Sequence, residues 1–463
     1  MTTQFDPELT TGEFDLDDRR SLRRVAGLST ELEDITEVEY RQLQLERVVL
    51  VGVWTQGTAA DAENSLAELA ALTETAGAQV LEGIVQRRDR PDPATFIGSG
   101  KVEELRDVVV ATGADTVICD GELSASQLRN LEDAVKVKVI DRTAVILDIF
   151  AQHAKSKEGK AQVELAQLEY LVQRLRGWGG ALSRQAGGRA GGAGGGVGTR
   201  GPGETKLETD RRRVRTRMAK LRRELATMKT ARETKKRSRR QRSVPAVAIA
   251  GYTNAGKSSL LNQLTGAGVL VDDVLFATLD PTVRRTRTTD GREYTLSDTV
   301  GFVRHLPHEL VEAFRSTLEE VGEADVVLHV VDGSHADPEG QLAAVRGVLA
   351  DVGAADVPEI VVINKIDSAD DSTVARLLRA EPHSVAVSAH SGEGVDKLRA
   401  MIESELPVPP VEVEALVPYD RGELVSLVHR TGEVISIEHE PDGTRVRARV
   451  PASLAAALQS LPE

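Results

Sequence analysis

Lys257 and Ser258 close the eight-residue stretch 251–258, which reads GYTNAGKS. An ammonium and a hydroxyl behind two glycines can hold a polyphosphate. The glycines let backbone N–H groups turn toward the α- and β-phosphates, Lys257 puts positive charge on the β/γ oxygens, and the Ser258 hydroxyl can ligate Mg²⁺. The stretch follows the apolar residues Val244, Ala246, Val247, Ala248, Ile249 and Ala250 and precedes SLLNQL, so it lies between a buried strand and a helix, as such a loop must. The cradle is expected from Gly251, Tyr252, Thr253, Asn254, Ala255, Gly256, Lys257, Ser258 and Ser259. Alone, it does not separate adenine from guanine nucleotides.

Later segments choose. Phe276, Ala277, Thr278, Leu279 and Asp280 follow the loop, then a hairpin turning at Asp290 and Gly291, then the strand YTLSD. At the end of that strand stand Asp298, Thr299, Val300 and Gly301. An aspartate there can hold Mg²⁺ through water and the Gly301 N–H can meet a γ-phosphate, which makes the segment a candidate sensor of the third phosphate. A further strand leads to Asn364, Lys365, Ile366 and Asp367. The Asp367 carboxylate can accept from both N1–H and the exocyclic amine of guanine, a donor pair adenine lacks. Asn364 can support the base edge and the Lys365 stem can cover its face. Ser388, Ala389 and His390 follow the strand-like SVAV, and the Ala389 N–H can reach guanine O6. The expected ligand is GTP, because the wrong base leaves buried polar groups unpaired.

The elements that carry these residues belong to a long, segregated chain. Its 463 residues allow about three domains. Cys119 is the single cysteine, which excludes an internal disulfide framework or thiolate metal site and fits a reducing compartment. No apolar run approaches the roughly 18 residues that a membrane span needs. The expectation is a soluble cytoplasmic monomer without a membrane partner. Net charge is −14, yet residues 151–243 hold 25 Lys and Arg against 8 Asp and Glu, so that module is +17 and the rest −31. Such asymmetry points to a polyanion such as nucleic acid, with a solvated charged helix as the alternative.

In order, residues 1–44 read as a disordered or weakly ordered lead-in. Residues 45–142 alternate strand and helix: strands at 48–53, 78–86, 115–120 and VKVI before Asp141, helices at 59–75, 101–111 and 124–135. This predicts an N-terminal α/β domain with a parallel sheet. Within it Gly98, Ser99, Gly100 and Lys101 suggest a second phosphate loop, but Thr95 stands where the first glycine is required and Val102 follows the lysine. A glycine turn capping the next helix is the alternative.

Residues 143–243 form a basic helical module. From 143 to 175 the pattern is continuously helical, with Leu165, Leu168, Val172 and Leu175 on one seam, and a second helix from about Glu204 carries Leu207, Val214, Met218, Leu221, Leu225 and Met228. Both are coiled-coil seams, predicting an antiparallel helical hairpin. The loop 177–203 contains 13 of the 40 glycines with Arg184, Arg189 and Arg200, and Arg211, Arg212 and Arg213 follow it. A flexible linker and a loop that threads into RNA both fit the composition; the flanking arginines favour RNA. Residues 244–407 make a P-loop GTPase domain. Residues 408–463 read as a small α+β C-terminal domain, strand, helix, strand, a turn at Pro441, Asp442 and Gly443, strand and helix.

With these motifs assembled, the chain resembles the translation-factor-related P-loop GTPases and, within them, the HflX family. The signatures are RGPGETKLETDRR (200–212), GYTNAGKSSLLNQLT, LFATLDPT, DTVGFVRHLPHELVEAF and NKID. The resemblance implies a GTPase with Mg²⁺ held by Ser258 and Thr278, and by Asp298 through water, and with Lys257, Thr278 and Gly301 at the chemistry. The family's last motif often reads SAK, so His390 is a departure, and the RAGGAGGG part of the loop is an extension. Phe302 stands where Ras-like proteins place the glutamine that orients water. Phenylalanine can do no such thing, so slow intrinsic hydrolysis and activation by a partner are expected, with Arg304 and His305 as in-chain alternatives. The resemblance further implies binding to the 50S subunit and its 23S rRNA, hydrolysis stimulated by that subunit, and splitting of stalled or idle 70S ribosomes under stress. The other readings are a large-subunit assembly GTPase, an rRNA remodeller using a nucleotide at the N-terminal domain, and a regulatory G protein with a protein partner.

Overall fold

The computed structural model describes residues 47–187, 202–241, 244–266, 275, 276, 279, 282–304, 318, 321–459 and 461. The expected lead-in at 1–44, the loop residues Arg189 and Arg200, the switch residues Ala277, Thr278 and Asp280, and His305 lie outside that set.

The chain divides into two compact units, one up to Leu225 and one from Ala226, and each is described by itself. In the first, strands β1 (Arg47–Trp54), β2 (Gln79–Arg87), β3 (Thr116–Asp120) and β4 (Lys138–Asp141) form a parallel sheet in the order β2-β1-β3-β4. Helices α1 (Ala59–Thr75), α2 (Ser99–Thr112) and α3 (Ala125–Val135) connect them. The near-continuous apolar strands are what a sheet covered on both faces requires; Val49, Val51, Val117, Cys119 and Val139 lie in its core. Capping boxes start α1 (Thr58 with Asp61) and α3 (Ser124 with Gln127), each satisfying two otherwise open backbone donors.

Helices α4 (Arg142–His153), α5 (Lys157–Gly187) and α6 (Pro202–Gln241) follow. The expected unbroken helix over 143–175 is two helices. Ala154 is extended (ψ 110°), and Ser156 Oγ accepts the Gly159 N–H at 2.8 Å, which starts α5 afresh. Helix α5 also runs on to Gly187, into the stretch expected as loop. The seam of α5 and α6 packs Ala161, Leu165, Leu168, Leu171 and Val172 with Val214, Met218 and Leu221, flanked by Leu225. Arg217 holds Glu164 at 2.6 and 2.8 Å, and Arg222 holds Glu169 at 2.7 Å, so part of the basic charge is neutralised within the pair.

In the second unit, β5 (Ala246–Gly251), α7 (Lys257–Thr265), β6 (Thr282–Arg287), β7 (Glu293–Asp298), β8 (Val326–Asp332), α8 (Pro338–Asp351), β9 (Glu359–Asn364), α9 (Asp371–Ala380), β10 (Ser384–Ala386) and α10 (Val395–Glu405) build a six-stranded sheet in the order β10-β9-β8-β5-β7-β6. Only β6 runs antiparallel, as the second arm of the β6–β7 hairpin. Strands β5, β7, β8 and β9 end on the same side, which gathers their following loops into one crevice. Finally β11 (Val411–Val417), α11 (Gly422–Thr431), β12 (Glu433–Glu440), β13 (Gly443–Val450) and α12 (Ala452–Gln459) form a three-stranded antiparallel sheet, β11-β13-β12, whose inward Val446, Ala448 and Val450 pack with both helices. Among the described residues no helix is long and apolar enough to cross a membrane.

Candidate nucleotide-binding site

The crevice begins where β5 gives way to α7. Gly251 (φ +153°) passes so near β8 that a Cβ would lie 2.3 Å from the Val330 carbonyl oxygen, and Gly256 (φ +91°) so near β9 that a Cβ would meet Asn364 Nδ2 at 2.2 Å. Each glycine therefore answers a steric demand of a neighbouring strand. Past Gly256, the N–H groups of Lys257, Ser258 and Ser259 stand at the open end of α7, where no intrahelical carbonyl can take them and an anion is favoured. Tyr252, Thr253 and Ala255 are buried and Asn254 is exposed in a left-handed turn (φ +56°).

Lys257 is 7 % exposed and donates from Nζ to the Tyr252 carbonyl at 2.7 Å. Burial pulls its pKa down to about 8, opposed by the nearby Asp298 carboxylate. A Cβ on Gly301 would come within 3.1 Å of Lys257 Nζ, so the glycine after β7 closes directly on the lysine. Ser258 Oγ donates to Asp298 Oδ2 at 2.6 Å. Thr299 and Val300 are buried, and the Thr299 hydroxyl donates to the Ile249 carbonyl at 2.8 Å, so it serves the strand. Phe276 (φ +59°) and Leu279 are also buried.

Phe302 pairs by backbone with the phosphate loop: Thr253 N donates to Phe302 O at 2.7 Å and Phe302 N to Gly251 O at 3.2 Å. Its ring is 2 % exposed, so it fills the core. The Arg304 N–H donates to the Tyr252 hydroxyl, and its guanidinium is held by Asp337, the cap of α8. The arginine offered by the sequence as an in-chain activator is thus engaged elsewhere.

At the other end of the crevice, Asn364 is a brace. Its Nδ2 donates to the Ala255 carbonyl at 2.8 Å and its Oδ1 accepts the Ala389 N–H at 2.9 Å, tying the phosphate loop to the 388–390 loop. This departs from the expectation that the Ala389 N–H faces the base. A short loop buried against β9 must satisfy its donors, and the Asn364 amide oxygen is the acceptor within reach. Asp367 is exposed and accepts from Ser388 Oγ at 2.6 Å and Ser368 Oγ at 3.1 Å. The Ser388 hydrogen bond is the main influence holding its carboxyl below the usual range, so it is an ionised double acceptor. Lys365 (φ +62°) is fixed by an ion pair with Asp332 at 2.8 Å. Ile366 is half-buried and His390 exposed. Asp332 and Asp337 escaped the sequence reading; the signal for Asp332 was a carboxylate directly after the apolar run VVLHVV, and that for Asp337 a carboxylate just before Pro338 at a helix start.

The arrangement offers a positive, N–H-lined phosphate end and a carboxylate base end on one rigid sheet edge, which suits a guanine nucleotide. Comparison with known proteins agrees along the chain. Residues 63–151 match the family described as GTP-binding GTPase N-terminal, 153–239 GTP-binding GTPase Middle Region, 246–365 50S ribosome-binding GTPase, and 374–460 HflX C-terminal domain. GTPase HflX of Lacrimispora saccharolytica is 47 % identical over 429 residues, covering 93 % of this chain and 98 % of that one. The chain belongs to the HflX GTPase family. GTPase HflX of Escherichia coli K12 is 42 % identical over 411 residues, 88 % of this chain and 94 % of the relative. Among solved structures, a GTP-binding protein from the archaeon Sulfolobus solfataricus in complex with GDP is 25 % identical, covers 78 % of this chain and 98 % of its own, and has a TM-score of 0.39. This HflX-family chain is a GTPase whose G domain matches the 50S ribosome-binding GTPases.

Two other regions that the sequence singled out lie elsewhere in this HflX-family protein. Gly98 (φ −66°) is the N-cap of α2, Gly100 has open space around its α-carbon, and Lys101 Nζ sits on Glu104 at 2.6 Å. That is a capped helix start. Of the predicted RNA-binding arginines, Arg212 and Arg213 are exposed on α6 and Arg211 is half-buried; Arg184 falls on α5 with its side chain outside the described set.

Proposed function

We propose that this GTPase binds the 50S subunit through its basic helical module, is stimulated by that subunit to hydrolyse GTP, and splits stalled or idle 70S ribosomes in the cytoplasm under stress. The observation that carries this is the buried Phe302 ring beside a complete phosphate cradle. The chain can hold GTP, yet Phe302, where a water-orienting side chain would stand, gives its backbone to the phosphate loop and buries its ring. Such a pocket waits for a partner. The match to 50S ribosome-binding GTPases and the +17 module support a ribosomal partner.

In this reading Lys257 and the α7 N–H groups hold the β- and γ-phosphates, and Gly301 N–H meets a γ-oxygen. Asp367 takes N1–H and the amine of guanine, while Asn364 keeps the two loops in register. Water attacks the γ-phosphorus, the bond to the β–γ bridging oxygen breaks, and GDP and phosphate leave. Mg²⁺ would be held by the hydroxyls of Ser258 and Thr278, and through water by Asp298, whose carboxylate lies 2.6 Å from Ser258 Oγ; these are the hard oxygen donors that it requires. The metal, when bound, would neutralise charge on the β and γ oxygens.

The test is GTP hydrolysis by the protein alone and with 50S, 30S or 70S particles, with parallel sedimentation in a non-hydrolysable analogue. Strong stimulation by 50S together with dissociation of 70S supports the reading. Stimulation confined to immature large subunits would move it to assembly, and the absence of both effects would remove the ribosome.

A further inference from the structure

Strand β6 ends the six-stranded sheet. It pairs with β7 on one side and, among the described residues, with no strand on the other. Its six residues, TVRRTR, include three arginines and no carboxylate, and Arg284, Arg285 and Arg287 are all exposed. Arg287 reaches Glu293 at 3.2 Å. Arg284 and Arg285 hold no carboxylate among the described residues, whereas Arg304, Arg346, Arg376 and Arg399 of the same domain each do. Arg292 and Arg379 also lack one, but Arg292 is buried on the Pro407 carbonyl and Arg379 lies in the last turn of α9, where the helix dipole accounts for it.

Charged side chains on an edge strand guard against strand addition. Either sign serves that purpose, and the edges of the C-terminal sheet use glutamates: Glu412 and Glu414 on β11, Glu433, Glu438 and Glu440 on β12. Residues 244–407 contain 13 Lys and Arg against 26 Asp and Glu. Adjacent arginines with no carboxylate among the described residues, on an edge with no partner strand among them, in so acidic a domain are chosen for their sign, which selects a polyanion.

We infer that the edge of β6 grips the phosphodiester backbone of ribosomal RNA through Arg284 and Arg285, and that this grip bears on the nucleotide pocket. The inference rests on the ribosome-binding reading above and assigns its G-domain contact. Successive strand side chains point to opposite faces, so the two guanidinium groups flank the edge and meet phosphates on either side of it. Thr282 is the register partner of Asp298, and Val283 of Ser297. Arg284 and Arg285 pair with Leu296 and Thr295, so a restraint on β6 acts on the same ladder two and three steps from the carboxylate that holds Ser258. The turn of the same hairpin is anchored: Thr289 N and Oγ1 donate to the Glu403 carboxylate at 2.8 and 2.7 Å, and Arg292 Nη1 to the Pro407 carbonyl at 3.0 Å. With the turn held, a pull on the strand is delivered to its pocket end.

The test uses the full chain and an Arg284→Glu, Arg285→Glu variant, which keeps the edge charged and so keeps it guarded. GTP hydrolysis is measured alone and against increasing 50S subunits, and binding to poly(U) RNA is followed by fluorescence anisotropy across salt. Unstimulated hydrolysis is expected to stay within about twofold and the 50S concentration for half-maximal stimulation to rise about tenfold or more, because two phosphates are no longer neutralised. The log–log salt slope for poly(U) should flatten by about 1.4, roughly 0.7 for each phosphate that a guanidinium neutralises on a single strand. An Arg284→Lys, Arg285→Lys variant should keep the parent slope. An unchanged slope overturns the inference, and if the 50S response nevertheless changes, the edge takes a protein strand. If the parent protein is not stimulated by 50S at all, the ribosome reading fails while the poly(U) slope still decides the edge.

Discussion

Two glycine–lysine turns in this chain look alike in sequence and differ in every physical respect that matters. Each follows a strand and opens a helix. At residues 251–258 both glycines have positive φ, each sits where a Cβ would collide with a neighbouring strand, and Lys257 is buried with its pKa drawn down to about 8. At Gly98–Lys101 the first glycine has an ordinary extended φ with only the side chains of Arg88 and Gln86 near the place of a Cβ, Gly100 touches nothing, and Lys101, half-buried, rests on the exposed Glu104. A phosphate cradle is made by backbone forced inward and by a lysine whose charge is costly until an anion arrives. Glycine and lysine content alone makes a helix cap.

The largest expected contrast is between the two lysines. Lys257→Ala should lower GTP hydrolysis by about a thousandfold or more, since the charge that meets the transferring phosphoryl group is gone, and Lys101→Ala should leave it within about twofold. Steady-state phosphate release checks both, and a hydrolysis rate that depends on Lys101 would make the N-terminal turn a nucleotide site after all. Next come the glycines. Gly256→Ala must strain a left-handed backbone and displace the Asn364 brace, so GDP affinity should fall by about a hundredfold. By contrast, Gly100→Ala in the first turn of α2 should raise stability by roughly 0.5–1 kcal/mol in thermal unfolding.

At the base end, Asp367→Asn should cost GDP about 2–3 kcal/mol of binding and shift preference to xanthine nucleotides, whose 2-oxo group accepts what the new amide donates. Competition between the two nucleotides in calorimetry reads this out. The smallest effect is in pH. Free Lys257 loses its proton near pH 8, a bound polyphosphate raises that pKa, and binding therefore takes up a proton above it. GDP affinity should be flat below about pH 7.5 and weaken toward about tenfold per unit above 8. Lys257→Arg should remove the dependence, because a guanidinium keeps its charge there; a parent curve flat to about pH 9 would mean that burial does not depress this lysine.

Much of the architecture was legible. Helix 59–75 and the strands at 48–53 and 78–86 fall within a residue or so of α1, β1 and β2, because long apolar periods and Thr58 and Ser124 caps are local signals. The break at Ala154–Ser156 was not, since residues 151–160, AQHAKSKEGK, contain no proline and are compatible with a helix, and only the Ser156 cap interrupts them. In the site, the motif spacing offered a candidate phosphate end and a candidate guanine end, and the structure brings both to one crevice. The spacing did not reveal that Asn364 uses both polar ends to brace loops, that the Ala389 N–H belongs to Asn364, or that Asp337 holds Arg304.

Those misses share a cause. The sequence by itself determined the HflX family and its GTPase activity, because the motifs that mark them are each a few neighbouring residues whose types and order carry the signal. It also determined the segregation of charge and the substitution of phenylalanine for a polar side chain at 302. Only the tertiary structure decided where each side chain went: Phe302 into the core, Lys257 onto the Tyr252 carbonyl, Ser258 onto Asp298, and Arg284 and Arg285 onto no carboxylate among the described residues. Partners across a sheet come from strands 40 to 109 positions apart in the chain, as for Ser258 with Asp298 and Asn364 with Ala255, and no local pattern encodes which of the available acceptors will lie within about 3 Å.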